Sequence, residues 1–234
     1  MANLSLDKVF LEYPIYERLR LFGQRGSSNN GFLALKGISI DLENGDRVAI
    51  LGKNGAGKTT LLRVMAGIYT PTKGEVSAEG RISSMLTIGI GMNPEADAYE
   101  NIINCGLMLG LKKNYIEDVV IPDIEQFSEL GEFMSKPVRM YSRGMQTRLS
   151  FGISTAINPE ILIMDEMIGA GDKFFVEKAK QRMAKILEAS SIVVLASHNL
   201  TIVEDICNKG CVLEQGELVY FGTLAEAIEL YKGG

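Results

Sequence analysis

Residues 52–59 combine glycines, a lysine and a threonine at a spacing that suits phosphate binding. They read Gly-Lys-Asn-Gly-Ala-Gly-Lys-Thr, a full match to the pattern G-x-x-x-x-G-K-[ST]. The glycines let the backbone turn so that N–H groups point at phosphate oxygens. Lys58 can reach the β- and γ-phosphates of a nucleoside triphosphate, and the Thr59 hydroxyl can ligate Mg²⁺. The residues expected to contact the nucleotide here are Gly52, Lys53, Asn54, Gly55, Ala56, Gly57, Lys58, Thr59 and Thr60.

Two adjacent carboxylates further along the chain suit metal binding and water activation. The apolar run Ile161–Met164 ends directly in Asp165 and Glu166. Such a run predicts a strand buried on both faces, so the two carboxylates should lie where the strand leaves the sheet. Open parallel sheets bind their ligands at that edge. We therefore expect Asp165 to hold Mg²⁺ through water and Glu166 to polarise an attacking water.

The elements that position these residues are predicted from the flanking patterns. Val48–Leu51 is an apolar run typical of a strand, and Thr60–Met65 is helix-like, so the phosphate-binding residues join a strand to a helix. Residues 1–51 are rich in strand patterns, and from Pro159 onward strand and helix patterns alternate. A hairpin is expected at Val212–Glu214 and Leu218–Phe221, turning at Gln215-Gly216, with a final helix capped at Thr223.

The stretch between the two motifs has a different character. From residue 97 to 157 the pattern is helical, which predicts a separate helical lobe inserted in the main domain. Asp97 followed by Glu100 predicts a capping box at the first helix. Further helices are predicted at Tyr115–Ile121 and Ile124–Leu130, and an amphipathic helix is expected to run through Ile157.

Composition and charge exclude several classes of protein. The chain has 234 residues, enough for one large domain with an ample core, and a net charge of −5 without a dense Lys/Arg block, which argues against nucleic-acid binding. Its 3 cysteines are too few for a disulfide framework, and a single histidine makes a Cys/His metal site improbable. Apolar runs fall short of the roughly 18–20 residues that span a bilayer, and the N-terminus lacks the layout of a signal peptide.

Three later segments complete an ordered set of motifs. Tyr141–Met145 reads Tyr-Ser-Arg-Gly-Met, residues 169–172 read Gly-Ala-Gly-Asp, and Ala196–Asn199 follows an apolar β run and contains His198. With the phosphate loop and the acidic strand end, this order resembles the ATP-binding-cassette superfamily over nearly the whole chain. The resemblance implies an α/β, P-loop NTPase fold. A mixed sheet core and an N-terminal antiparallel β-subdomain would be joined by a helical subdomain that carries the signature Tyr141–Met145, within one domain spanning 1–234.

The details resemble one subfamily. The Tyr-Ser-x-Gly-Met form, together with residues 11–17 and 89–94, is similar to ATPase subunits of exporters of O-antigen, capsule or teichoic acid. That resemblance implies ATP and Mg²⁺ as cofactors, an ATP-dependent homodimer and a polytopic transmembrane permease as a separate chain. The glycan or lipid-linked glycan substrate would be handled by that permease. The ATPase subunit would be bound to it at the cytoplasmic face of the inner membrane, and it would have no nucleic-acid partner. We expect no C-terminal carbohydrate-binding domain.

The resemblance also implies roles for individual residues. Two copies would face head to tail, so that Ser142 and the backbone N–H of Gly144 meet the γ-phosphate bound by the partner copy. Glu166 would be the catalytic base and His198 a switch residue at the γ-phosphate or the attacking water. Asp172 would shape the seam between the two copies.

Several assignments stay open in the sequence. Tyr13 fits the aromatic that stacks on adenine, with Tyr16 and Phe32 as rivals. Thr87 is a candidate metal ligand because no glutamine stands near it where relatives carry one. Arg143, where relatives have a small residue, either touches the partner's nucleotide or faces solvent. An energiser of another transporter and a non-transport cassette ATPase remain alternatives to the glycan exporter.

Overall fold

The structure is a computed structural model that describes residues 1–14, 31–86, 91–165 and 173–233, with side-chain surroundings described from residue 175 in the last range. The described residues divide into two compact units. The first is drawn from Met1–Ile82, Glu160–Glu166 and Ser191–Gly234, and the second from Ser83–Pro159 and Met167–Ser190. The predicted helical lobe, 97–157, falls within the residues of the second unit.

Strands belong almost entirely to the first unit, and helices occur in both. The strands are β1 (Asn3–Tyr13), β2 (Phe32–Glu43), β3 (Arg47–Leu51), β4 (Lys73–Glu79), β5 (Ile82–Met85), β6 (Ile161–Asp165), β7 (Ile192–Ala196), β8 (Lys209–Glu214) and β9 (Glu217–Thr223). The α-helices are α1 (Lys58–Met65), α2 (Ala98–Met108), α3 (Lys113–Tyr115), α4 (Ile121–Ser128), α5 (Arg143–Ser154), α6 (Lys173–Ala189), α7 (Leu200–Ile206) and α8 (Leu224–Gly233).

The N-terminal strands form a small antiparallel sheet in the order β2-β1-β4. Leu4, Leu6, Val9 and Leu11 of β1 are buried, and the residues between them are exposed or half-buried. This near-alternation leaves one face of the sheet packed and the other solvated. At its far end the ladder pairs Tyr13 of β1 with Phe32 of β2.

The larger sheet carries the order β5-β6-β7-β3-β8-β9. Strands β6, β7, β3 and β8 are parallel, and β9 runs antiparallel to β8. β7 is buried at every position, and β3 and β6 are buried at all but one, as expected for strands that read as unbroken apolar runs. The hairpin turning at Gln215-Gly216 is present, with both residues at positive φ. The mixed sheet with an antiparallel N-terminal sheet confirms the predicted fold class.

The second unit has its own apolar core. Helix α2 begins with the predicted capping box: the Asp97 carboxylate accepts the Glu100 N–H at 2.9 Å, and Glu100 reaches back to the Asp97 N–H. The core draws on α2, α4, α5 and the segments between them, and consists of Ala98, Ile102, Cys105, Ile116, Val120, Ile124, Leu130, Met134, Val138, Tyr141, Leu149 and Ile153.

Three predicted helices in this unit were wrong in their boundaries. Residues 113–128 run on from α3 through a π-helix, Ile116–Val120, into α4, where Pro122 lacks the N–H that would continue the α-helical ladder. Helix α4 stops at Glu129, which adopts a left-handed conformation with φ of 52°. Helix α5 ends at Ser154 rather than at Ile157, since Asn158-Pro159 disfavours further helix and the Thr155 hydroxyl donates back to the Phe151 carbonyl at 2.6 Å.

Candidate functional site

The ends of three adjacent parallel strands bring the first group of site residues together. Asp165, the last residue of β6, pairs in register with Ala196 of β7, and Ala196 pairs with Ile50 of β3. The carboxyl ends of these strands therefore meet at one edge of the sheet, where open α/β sheets bind ligands. The phosphate loop follows β3, and His198 follows β7, so the predicted motifs lie at that same edge.

The backbone of the phosphate loop depends on its glycines at two points. Gly57 precedes α1 with a φ of 105°, a left-handed conformation that side-chain-bearing residues rarely adopt. A Cβ at Gly52 would lie 2.5 Å from the Leu213 carbonyl oxygen of β8, so the loop passes too close to the next strand for a side chain. Because Gly57 has no side chain, the first turn of α1 carries no side-chain cap, and its amides and helix dipole suit an anion.

The Lys58 ammonium group lies within the loop. Its Nζ donates to the carbonyl oxygens of Gly52, at 2.6 Å, and Lys53, at 3.2 Å. Lys58 is the first residue of α1, so its backbone is fixed by the helix while its side chain folds back over the loop. The positive charge therefore lies against the loop, which suits the β- and γ-phosphates of a nucleotide.

The residues that would hold Mg²⁺ fit that ion. The Thr59 hydroxyl donates to Asp165 Oδ2 at 2.8 Å. Mg²⁺ prefers hard oxygen ligands in an octahedron at about 2.0–2.1 Å, which sets neighbouring ligands about 2.9 Å apart. A hydroxyl and a carboxylate at this spacing supply two such ligand positions, either directly or with water completing the shell. The pair joins residues 106 positions apart in sequence.

A cavity of about 600 Å³ surrounds these groups. Its lining holds six of the nine residues of 52–60 predicted to contact the nucleotide, together with Ala34, which carried no motif signal. The lining consists of Phe32, Ala34, Asn54, Gly55, Gly57, Lys58, Thr59, Thr60, Asp165, Ala196, Ser197 and His198. The structure thus brings His198 and Asp165 to one cavity with the phosphate loop.

His198 is exposed on a short, well-anchored turn between β7 and α7. The next residue, Asn199, caps α7 by accepting the N–H groups of Thr201 and Ile202 at 3.1 and 3.5 Å. The Asn199 N–H in turn donates to the Ser197 hydroxyl at 3.1 Å. These bonds fix the backbone on both sides of His198, which lines the cavity.

Two of the three candidate aromatics for the base lie side by side. Tyr13 is half-buried, and its hydroxyl shares a hydrogen bond with the Thr60 hydroxyl, with the two oxygens 3.2 Å apart. Phe32, its partner across the β1–β2 ladder, is 60% exposed and borders the cavity. Tyr16, the third candidate, lies outside the described residues.

The signature segment belongs to the second unit. Ser142 caps α5 by accepting the Met145 N–H at 3.3 Å, and Arg143 and Gly144 are exposed in the first turn. Tyr141 anchors the segment, because its hydroxyl donates to the Phe133 carbonyl at 2.6 Å. Burial raises the pKa of Tyr141 to about 12, so the phenol stays a neutral donor at physiological pH.

Three predicted site residues, Glu166, Asp172 and Thr87, lie outside the described residues, so their roles stay predictions. Among the residues that are described, no cluster of three or more His, Cys, Asp or Glu side chains suits a metal ion. Burial raises the pKa of both Cys207 and Cys211 to about 12, which keeps these thiols protonated. No helix in the described ranges has the length and apolar character needed to cross a membrane.

Comparison with known structures shows the fold. The chain superimposes on the ATP-binding cassette MJ0796, a dimer in a post-hydrolysis state with ADP and Pi, with a TM-score of 0.70 and 21% identity over 94% of this chain and 98% of that one. An ATP-binding subunit of another ABC transporter gives a TM-score of 0.72 at 19% identity, over 98% of this chain and 93% of that one.

Sequence comparison shows the family. The ABC transporter family model matches residues 35–169. The O-antigen export system ATP-binding protein RfbE of Yersinia enterocolitica is 42% identical over 94% of this chain and 97% of that protein. The teichoic acids export ATP-binding protein TagH of Shouchella clausii is 35% identical over 98% of this chain and 65% of its own length. The chain therefore belongs to the ABC transporter family, in the group that contains the ATP-binding proteins of O-antigen and teichoic acid export systems.

Proposed function

We propose that this protein is the ATP-hydrolysing subunit that powers export of a polysaccharide or lipid-linked glycan, of the O-antigen, capsule or teichoic acid type, across the inner membrane. The observation that carries the proposal is the likeness to export-system ATP-binding proteins over nearly the full length of both chains. The nucleotide cavity supplies the matching chemistry, since phosphate loop, acidic strand end and histidine turn line one space.

The arrangement of the site supports a separate role for each group of residues that would contact the nucleotide. The loop amides and Lys58 bind the phosphates, while Thr59 and Asp165 hold Mg²⁺, which when bound offsets charge on the phosphate oxygens. Glu166, directly after Asp165, takes the role of the base that orients the attacking water. His198 contacts the γ-phosphate or that water from the neighbouring strand end.

The signature segment serves a second copy of the chain. In a head-to-tail homodimer, Ser142 and the Gly144 N–H meet the γ-phosphate bound by the partner, Arg143 adds a cation beside them, and Asp172 shapes the seam. Helix α5 has no acidic residue in its first turn, so no carboxylate of that turn offsets the positive end of its dipole. Apart from its chain neighbours and the backbone of its own helix, the one atom of the described residues that lies within 4 Å of a Cβ at Gly144 is the Ser142 hydroxyl oxygen, at 3.9 Å. A side chain at Gly144 would therefore fit within the free chain. We propose that glycine is needed at this position because the partner's γ-phosphate approaches it in the dimer.

Gly144→Ala is expected to separate folding from turnover. The methyl group meets open space in the free chain, and alanine favours helix over glycine by up to about 1 kcal/mol, so the free energy of unfolding should hold or rise. In the dimer the methyl would crowd the partner's phosphate, so ATP turnover should fall at least tenfold, a loss of about 1.4 kcal/mol in the transition state. Thermal melting and phosphate release measure the two effects.

A matched control is Gly233→Ala, at the end of α8, where a Cβ would meet none of the other described residues within 4 Å. This variant should keep both melting temperature and turnover. If Gly144→Ala hydrolyses ATP at the wild-type rate, Gly144 does not approach the partner's nucleotide. A lower melting temperature for Gly144→Ala would mean that its cost lies in the fold of α5.

We further propose that the protein works at the cytoplasmic face of the inner membrane, bound there through a separate polytopic permease that carries the glycan. The relatives' names describe parts of export systems, and no described helix of this chain can span a bilayer. In this proposal the permease provides the passage for the substrate, and this subunit supplies the energy.

Affinity purification from native membranes in mild detergent, followed by mass spectrometry, tests the export assignment. We expect a polytopic membrane protein in about equal amount to this chain, and ATP turnover that nucleic acid does not change. A preparation that carries nucleic acid, or turnover that nucleic acid stimulates, would overturn the export role and favour a non-transport cassette ATPase. A co-purified permease that transports something other than a glycan would support the transport role and overturn the assignment of a glycan substrate.

A further inference from the structure

Tyr13 is held from two directions, by Thr60 and by Tyr69, a residue that no motif assigns. Its hydroxyl meets the Thr60 hydroxyl of α1 at 3.2 Å, and its ring meets Tyr69 edge to face, with centroids 6.0 Å apart and planes at 86°. Arg63 stands behind Tyr69. We propose that Arg63 and Tyr69, together called the Arg63–Tyr69 brace, are positioning residues that hold Tyr13 for binding the nucleotide's base. This inference rests on the proposed function, since it concerns the same ATP site.

The backbone fixes the brace to the phosphate-loop helix. Helix α1 ends in a Schellman motif: Gly67 is left-handed with φ of 70°, its N–H donates to the Val64 carbonyl at 3.0 Å, and the Ile68 N–H donates to the Arg63 carbonyl at 2.9 Å. The Tyr69 N–H also reaches the Arg63 carbonyl, at 3.2 Å. Tyr69 thus has a set position relative to the helix that starts with Lys58.

The side chains of Arg63 and Tyr69 also contact each other. Arg63 Nη1 donates to the Tyr69 hydroxyl at 3.2 Å, and the Arg63 guanidinium carbon lies 5.5 Å from the centroid of the Tyr69 ring. A cation near an aromatic face is attracted by the ring's quadrupole, and a basic residue in the last turn of a helix also suits the helix dipole. Tyr69 is therefore restrained on its hydroxyl and its face.

Tyr13 transmits this restraint to the cavity. The edge-to-face geometry places the positive rim of one ring against the negative face of the other. Tyr13 is also the ladder partner of Phe32, and directly opposed residues of an antiparallel pair project from the same face of the sheet. Phe32 and Thr60 both line the nucleotide cavity. The brace thus fixes one member of an aromatic pair beside that cavity.

A fixed ring binds a base better than a free one. Stacking a base immobilises the aromatic side chain, and that loss of rotamer freedom opposes binding unless the ring is already held. The brace supplies the holding contacts in this chain, so its effect should be confined to ligands that carry a base. Phosphate groups, which bind at the loop, should not sense it.

The test compares ATP with inorganic triphosphate as ligands of the purified full chain, by isothermal titration calorimetry with Mg²⁺. Tyr69→Leu and Arg63→Met are each expected to raise the Kd for ATP about tenfold, in the range of a weakened base–aromatic stack, while the Kd for triphosphate stays unchanged. Tyr69→Phe keeps the ring and should lose less. Tyr115→Leu, an exposed tyrosine of the second unit, is the matched control and should change neither Kd.

The outcomes separate three cases. A selective loss of ATP affinity supports the brace as a positioning device for the base. Equal losses for ATP and triphosphate, or no loss for either, overturn it, because a general disturbance of α1 would affect both ligands alike. Wild-type protein that binds neither ligand would instead remove the proposed ATP site itself.

Discussion

Lys58→Ala is expected to abolish tight ATP binding and ATP turnover. The Lys58 ammonium group sits inside the phosphate loop, held by the Gly52 and Lys53 carbonyl oxygens at 2.6 and 3.2 Å. In the bound state the same group would serve the β- and γ-phosphates, where negative charge is concentrated. A charge-assisted hydrogen bond to a phosphate contributes more than a neutral one. Losing one donor of an oxyanion hole costs roughly 10²–10³ in rate, about 3–4 kcal/mol, and we expect a loss of at least that order here.

Two measurements check this expectation on one preparation. Calorimetry should show the loss of ATP affinity, and phosphate release should show turnover at least a hundredfold below wild type. Lys73→Ala is the matched control, since Lys73 is an exposed lysine at the start of β4, and it should retain both properties. An unchanged melting temperature of Lys58→Ala would show that the variant is folded and has lost only the phosphate-binding group. Hydrolysis retained by Lys58→Ala would mean that residues 52–59 are not the phosphate site.

The main sheet and the phosphate loop could be predicted because their signals are local. Strands β3, β6 and β7 are short apolar runs, and a strand buried on both faces needs apolar residues at every position. The loop needs glycine where φ is positive, as at Gly57, and a side-chain donor one residue later. Because these requirements involve only neighbouring residues, a sequence pattern is sufficient to locate the strands and the loop.

Contacts between distant residues could not be predicted in the same way. The Tyr13–Tyr69 ring contact and the Tyr13–Thr60 hydrogen bond arise only once β1 and the end of α1 lie side by side. The π-helical segment Ile116–Val120 also escaped prediction, because its apolar spacing resembles that of an ordinary helix and Pro122 signals only a boundary. Tertiary packing decides both features, and a window of neighbouring residues does not contain it.

The second large effect is expected from Glu166→Gln, which should stop hydrolysis while leaving ATP binding intact. Glutamine has nearly the size of glutamate but carries no charge, so it can neither accept the proton of an attacking water nor orient that water as strongly. Loss of a general base typically lowers the rate 10²–10⁴-fold. Asp165, which bonds the Thr59 hydroxyl at 2.8 Å, is untouched, so the metal ligands and the affinity for ATP should remain.

A control at the other end of β6 separates the loss of a charge at residue 166 from a general effect of replacing a glutamate beside this strand. Glu160 directly precedes β6, at the opposite end from Asp165, and accepts the Arg81 N–H at 2.8 Å. A glutamine oxygen can accept that bond too, so Glu160→Gln should keep wild-type turnover. If Glu166→Gln also hydrolyses ATP at the wild-type rate, another group orients the water and Glu166 is not the catalytic base.

Blocked hydrolysis should also make the proposed dimer visible. With ATP and Mg²⁺, Glu166→Gln is expected to elute from a size-exclusion column as a dimer, because the nucleotide that joins the two copies is no longer consumed. Adding Gly144→Ala to this variant should remove the dimer and leave ATP binding intact, since the methyl group would stand between the signature segment and the partner's phosphate. A double variant that still dimerises would show that the two copies meet through some other surface, and that Gly144 has no part in the joint site.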